Sequence, residues 1–101
     1  MLTRLKYLYL KENRLTGCLP PELGNATALQ VLNVKHNGIS GVIPESIGKL
    51  KSLKYFEAND NEITGTIPPC VAELENIVCF SVEKNKLSVG TFHDAFLSGV
   101  V

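Results

Sequence analysis

Charge of one sign is what this sequence most plainly lacks: ten Lys and Arg balance ten Asp and Glu. Without a basic excess, neither nucleic acid nor an anionic membrane is expected as the main partner, because both reward clustered Lys and Arg. Long apolar runs are missing too. None approaches the roughly 18–20 residues that span a bilayer, so no membrane span is expected. Cysteine is scarce and odd in number: Cys18, Cys70 and Cys79 close no paired framework and match no zinc-ligand spacing. Three free thiols, mostly packed as small hydrophobes, are the expectation. The opening stretch, MLTRLKYLYLKENR, carries charges inside its apolar part and no small-residue cleavage site, so it does not read as a signal peptide.

What is present suits a folded chain. Hydrophobic residues make up 45% and charged residues 20% of 101 positions, a length for one domain rather than two. The dominant feature is a 24-residue period, marked by Asn13, Asn37, Asn61 and Asn85. Leu5, Leu29, Leu53 and Ile77 fill one column, and Leu8, Leu32, Phe56 and Phe80 the next. Leu10, Val34, Ala58 and Val82 follow, then Leu15, Ile39, Ile63 and Leu87. Gly17, Gly41 and Gly65 align, as do Pro20, Pro44 and Pro68, and then Leu23, Ile47 and Val71. No insertion or deletion interrupts the register, and a period of this length marks a solenoid. Four units are read, at about 2–25, 26–49, 50–73 and 74–101, within one domain.

Each part of the unit has a physical task. Leu8-Tyr9-Leu10 and its equivalents alternate apolar and exposed, the period of a half-buried strand. The Asn that follows can donate and accept, so it can satisfy backbone where the chain turns off the strand. Stacked Asn side chains would form a ladder, and Ala at Asn37 or Asn61 should cost about 1–3 kcal/mol. Gly permits a tight path after the strand, and Pro prevents that segment from continuing as a ladder. PPELGNA and PESIGKL then return along the opposite face as short helical turns.

These residues resemble the plant-type leucine-rich repeat, whose Gly-x-Ile-Pro element stands in full as Gly41-Val42-Ile43-Pro44 and Gly65-Thr66-Ile67-Pro68. The resemblance implies an α/β-type repeat solenoid, right-handed, with a parallel β-sheet on the concave face. Short 3₁₀ or helical turns and a short second set of strands would occupy the convex side. Members include receptor kinase ectodomains, receptor-like proteins and polygalacturonase inhibitors, so the resemblance implies protein or peptide recognition, with a signalling or defence setting, and no cofactor.

The pattern departs from the family at both ends. The chain opens directly on a repeat, without the usual capping cysteine pair. In the fourth unit, Val89-Gly90-Thr91-Phe92 replaces Gly-x-Ile-Pro, and a terminal helix carrying Phe92, Ala95 and Phe96 is expected to pack on the last coil. The open first coil implies either a larger natural protein or a homodimer through the ends of the stack. As printed the chain reads as intracellular; as a piece of an ectodomain it would be extracellular. A sequon, Asn25-Ala26-Thr27, marks Asn25 as a candidate N-glycosylation site.

The concave face is where a partner is expected. Its columns read Tyr7, Val31, Tyr55, Cys79; then Tyr9, Asn33, Glu57, Ser81; then Lys11, Lys35, Asn59, Glu83. A further column holds Glu12, His36, Asp60 and Lys84. All three tyrosines fall in the first two columns, and Tyr supplies stiff contact area with a polar tip. With Val31 and Cys79 they make an apolar stripe expected to face water. Residues 1–50 carry net +3 and residues 51–101 net −3, a polarity that favours an oppositely charged neighbour. His36, Asp60 and Ser81 or Cys79 do not form a reasonable triad, because Asp60 would lie between His36 and the nucleophile. Metal binding by His36, Asp60 and Glu57 is a minor alternative, and no enzymatic activity is expected.

Overall fold

Alternation around each Leu-x-Leu gives every coil a three-residue strand, and the Leu-x-Gly segments give the first three coils a second one. The computed structural model describes residues 4–88. In chain order the strands are β1 (Tyr7–Tyr9), β2 (Thr16–Cys18), β3 (Val31–Asn33), β4 (Gly38–Gly41), β5 (Tyr55–Glu57), β6 (Glu62–Ile63) and β7 (Cys79–Ser81). The expected fourth Gly-x-Ile-Pro variant and terminal helix fall outside the described residues.

Odd-numbered strands form a four-stranded parallel sheet in the order β1-β3-β5-β7. Its register follows the sequence period: Tyr7 lies against Val31, Val31 against Tyr55 and Tyr55 against Cys79. The even-numbered strands form a three-stranded parallel sheet, β2-β4-β6, with a different register: Thr16 faces Gly38, and Ser40 faces Glu62. Between the sheets, each of the first three coils closes with a 3₁₀ segment, at Pro21–Asn25, Glu45–Lys49 and Pro69–Glu73. Pro20, Pro44 and Pro68 precede these segments in extended conformation, and their carbonyls accept the first turn bonds from Leu23, Ile47 and Val71. The proline ring lacks an N–H and fixes φ, so the sheet ends there and the turn begins.

Apolar residues from strand, bend and 3₁₀ segment meet inside each coil. Leu29, Leu53, Phe56, Ile47, Val71 and Phe80 are fully buried. Phe56 and Phe80, equivalent positions in adjacent coils, stack with ring centroids 4.6 Å apart and planes 15° from parallel. The first coil is less covered. Leu5, Leu8, Leu10 and Leu15 are only partly buried, whereas Leu29, Leu32, Val34 and Ile39, one period on, are at most 4% exposed.

The asparagines stitch coil to coil. The Asn37 side-chain amide donates to its own turn at Val34 and Lys35, and back to Leu10 of the preceding coil, at 2.9–3.1 Å. Its Oδ1 accepts from the backbone of Asn13 and Leu15, both at 2.9 Å. Asn61 repeats this toward Val34, Ala58 and Asn59, and accepts from Ile39. Asn85 does the same toward Ala58, Val82 and Glu83, and accepts from Ile63.

Adjacent return segments pack so closely that glycine is required. A Cβ on Gly24 would lie 2.7 Å from the Ser46 backbone oxygen, a contact no rotamer change relieves. Gly17 has φ +83° but nothing within 4 Å of the added carbon. Gly24→Ala is therefore expected to cost about 2–3 kcal/mol by forcing the coils apart, and Gly17→Ala about 1–2 kcal/mol from left-handed strain alone. Urea unfolding of the two variants checks the order.

Candidate recognition face

Side chains at alternate positions of β1, β3, β5 and β7 point away from the core and form the concave surface. Tyr7, Tyr9 and Tyr55 are 53%, 63% and 40% exposed there. Val31 is not part of an open stripe, contrary to the sequence expectation: it is only 9% exposed. The register accounts for this, because Val31 sits directly between Tyr7 and Tyr55, a small side chain flanked on both strands by larger ones. Cys79 is likewise half-buried. Burial pushes its thiol pKa up, and the nearby Glu57 carboxylate adds to the shift, so the thiolate is disfavoured.

Polar groups beside the tyrosines are tied to one another across coils. Lys35 Nζ lies 3.0 Å from Glu57 Oε1, with each side chain only about a quarter exposed (26% and 25%). Ser81 Oγ donates to Asn59 Oδ1 at 2.5 Å, and Asn33 Oδ1 accepts from the Lys35 backbone amide at 3.2 Å. Both side-chain pairs run diagonally, joining residues 22 apart rather than the 24 of the straight columns. The straight-column reading of the sequence missed them. A search at two residues less than the period would have found both.

Lys11, Lys35, Asn59 and Glu83 lie just past the strands, where the hydrogen-bond ladder continues through Glu12 to Lys35, His36 to Asn59 and Asp60 to Glu83. Glu12, His36, Asp60 and Lys84 occupy the turn itself, all with positive φ between 55° and 60°. Asp and His tolerate this left-handed conformation better than most residues, and Glu and Lys here adopt it too. His36 Nδ1 and Asp60 Oδ2 are 2.7 Å apart on this exposed rim. Ser81 turns to Asn59 rather than to His36, so base and hydroxyl are not joined. Among the described residues, no group of three His, Cys, Asp or Glu is placed to hold a metal ion. No helix there is long and apolar enough to cross a membrane.

Other surfaces differ in character. On the convex side, Lys86 Nζ pairs with Glu62 Oε1 at 2.7 Å, and this hydrogen bond raises the lysine pKa. Asn25 and Thr27 of the sequon are exposed at the end of the first 3₁₀ segment, while Ala26 between them is buried.

The repeat geometry has counterparts among known proteins. The model of the Leucine Rich Repeat family matches residues 4–26, 28–50 and 52–74, more than half of the chain. The chain belongs to the leucine-rich repeat family. Plant receptor-kinase ectodomains are among its solved structural neighbours, which places this leucine-rich repeat chain with the plant type. The ectodomain of the Arabidopsis thaliana membrane receptor kinase GASSHO1/SCHENGEN3, solved with CASPARIAN STRIP INTEGRITY FACTOR 2, is 34% identical at a TM-score of 0.84. That match covers 95% of this chain and 12% of that one. The Arabidopsis receptor kinase HAESA, solved with the peptide hormone IDA and the co-receptor SERK1, is 32% identical over 83% of this chain and 14% of that one, TM-score 0.82. A plant ice-binding protein is also similar, at 27% identity over 82% of this chain and 27% of that one, TM-score 0.79. This leucine-rich repeat chain thus spans a minor part of each of these solved chains. A comparison with curated proteins found no match. The same coil serves receptors and an ice binder, so the fold alone does not assign a ligand.

Proposed function

We propose that this leucine-rich repeat chain is a non-catalytic recognition module that binds a protein or peptide on its concave face, in a plant-type signalling setting. The observation that carries the reading is the exposure of Tyr7, Tyr9 and Tyr55 around the half-buried Lys35–Glu57 pair. Aromatic side chains beside a partly desolvated ion pair combine contact area with polar selectivity, the usual make-up of a binding hot spot. Lys11, Asn33, His36, Asn59, Asp60, Cys79, Ser81 and Glu83 would form the surrounding rim, with Val31 supporting the tyrosines from beneath. The receptor ectodomains solved with CASPARIAN STRIP INTEGRITY FACTOR 2 and with the peptide hormone IDA lend support by likeness. Asn25, exposed on the return segment, is available for a glycan that would leave the concave face clear.

Calorimetry of the chain against a panel of synthetic signalling peptides and a co-receptor ectodomain tests the reading. Tyr55→Ala should weaken the binding found by about tenfold or more. Lys35→Glu should do the same, because it sets two carboxylates against each other where a salt bridge stood. Glu73→Ala, on an exposed 3₁₀ segment of the opposite side, should change affinity less than about twofold. Affinities within a factor of about two for both concave variants would end the assignment.

A further inference from the structure

The asparagine ladder contains one bond of a different chemical character. Asn37 is the one asparagine that glycine follows. Asparagine is chemically labile, most of all before glycine. With no Cβ to shield its nitrogen or restrict its backbone, a glycine in a free chain can swing that nitrogen onto the side-chain carbonyl carbon before it. The repeat does not ask for glycine here. Its column holds Arg14, Glu62 and Lys86 in the other coils, and Gly38 has no left-handed φ. A Cβ at Gly38 would lie 3.3 Å from the Leu15 carbonyl oxygen, a contact that a small shift relieves, and β6 carries Glu62 at the same place.

In the fold both reacting groups are held. The Gly38 N–H donates to the Leu15 carbonyl at 2.7 Å. Asn37 Oδ1 accepts from the amides of Asn13 and Leu15, and Nδ2 donates to Leu10 as well as to its own turn. These bonds fix the Gly38 nitrogen in the second sheet and the Asn37 amide in the joint between coils, so neither can turn toward the other. Leu10, Asn13 and Leu15 all belong to the first coil. Only when it lifts off the second does ring closure become possible.

We propose that Asn37–Gly38 is a spontaneous modification site gated by that joint, where asparagine becomes aspartate or isoaspartate only while the first two coils are apart. The Gly38 nitrogen loses its proton to water and bonds to Asn37 Cγ. The Cγ–Nδ2 bond breaks, and Nδ2 takes up a proton and leaves as ammonia. Water then opens the succinimide, and nothing is oxidised or reduced. Attack at Cγ restores the chain with aspartate; attack at the Asn37 backbone carbonyl carbon leaves Gly38 joined through Cγ, as isoaspartate. Neither product remakes the joint. A carboxylate donates no hydrogen bond, so the carbonyls of Leu10, Val34 and Lys35 meet negative charge where they met N–H groups. Isoaspartate also lengthens the backbone by a carbon, which puts β4 out of step with β2. The modification therefore records each opening of the joint and keeps it open.

Peptide mass mapping of the whole chain after incubation in neutral buffer, over a urea series reaching full unfolding, tests this. In the unfolded chain, amide loss at Asn37 should outrun that at every other asparagine. In the native state it should be at least about a hundredfold slower, because it waits on local opening. Below the unfolding transition it should rise in step with hydrogen exchange at the Leu15 and Gly38 amides, which the same opening frees. Gly38→Lys, matching Lys86, should lose the fast conversion in urea while keeping the native circular dichroism. Asn37→Asp, one of the two products, should lower the protection of the Leu15 amide at least about tenfold. Conversion as fast in the native state as in urea, another asparagine leading in urea, or native conversion that ignores exchange at Leu15 and Gly38 would overturn the proposal. So would fast conversion that survives G38K, or an N37D chain with Leu15 still fully protected.

Discussion

Replacing Asn61 with alanine is expected to lower the unfolding free energy by about 3–4 kcal/mol, above the range that one stranded polar group would suggest. The side chain is 5% exposed and serves four backbone groups at once. Truncation takes the acceptor from the Ile39 amide and one donor from each of the carbonyls of Val34, Ala58 and Asn59, which keep Asn37, Asn85 and His36 as donors. Two of these belong to the preceding coil, so the loss falls on the joint between repeats as well as on one turn. Asn13→Ala is the internal control. Its side chain is exposed and donates once, to Lys11 at 3.1 Å, so the loss should be about 0.5 kcal/mol or less. Urea denaturation of both variants is the measurement. Equal losses would mean that the amide bonds contribute no more when buried than when solvated.

Phe56→Ala is expected to cost about 3–5 kcal/mol, through lost transfer energy and an unfilled cavity. The ring is fully buried at the third coil and stacked on Phe80. Close-packed interiors relax only partly around such a void. Phe80→Ala should cost a similar amount, and the double variant less than the two together, by about 0.5–1.5 kcal/mol for the ring pair. A double-mutant cycle in denaturant gives that coupling directly. Strict additivity would show that the rings sit side by side without specific interaction.

Most of the fold was legible because its periodicity is uninterrupted. The strand pattern, the prolines that open each return segment and the column of asparagines all follow from residues 24 apart in the sequence. The coupling of each asparagine to the coil before it was only partly legible, since a donor's reach depends on the path of two chains. Val31 shows where column reading stops. Its exposure is decided by the size of Tyr7 and Tyr55 beside it, and a strand pattern treats the three alike. The Lys35–Glu57 and Asn59–Ser81 pairs escaped for another reason: a side chain just past one strand meets a side chain of the next strand along the diagonal, off the column. The left-handed turn at Glu12, His36, Asp60 and Lys84 carries no glycine to announce it. There the hydrogen bonds of the following Asn overrule local preference.

The two sheets count differently along the same chain. From one coil to the next, the concave sheet advances by 24 residues, from Tyr7 to Val31, and the second sheet by 22, from Thr16 to Gly38. Two residues of extended backbone amount to about 6.6 Å of slip, so each coil slides past its predecessor on one side only. Stacked units therefore wind like the treads of a spiral stair. A ligand that spans many coils must itself be curved or pliable, and its grip should depend on following that winding path.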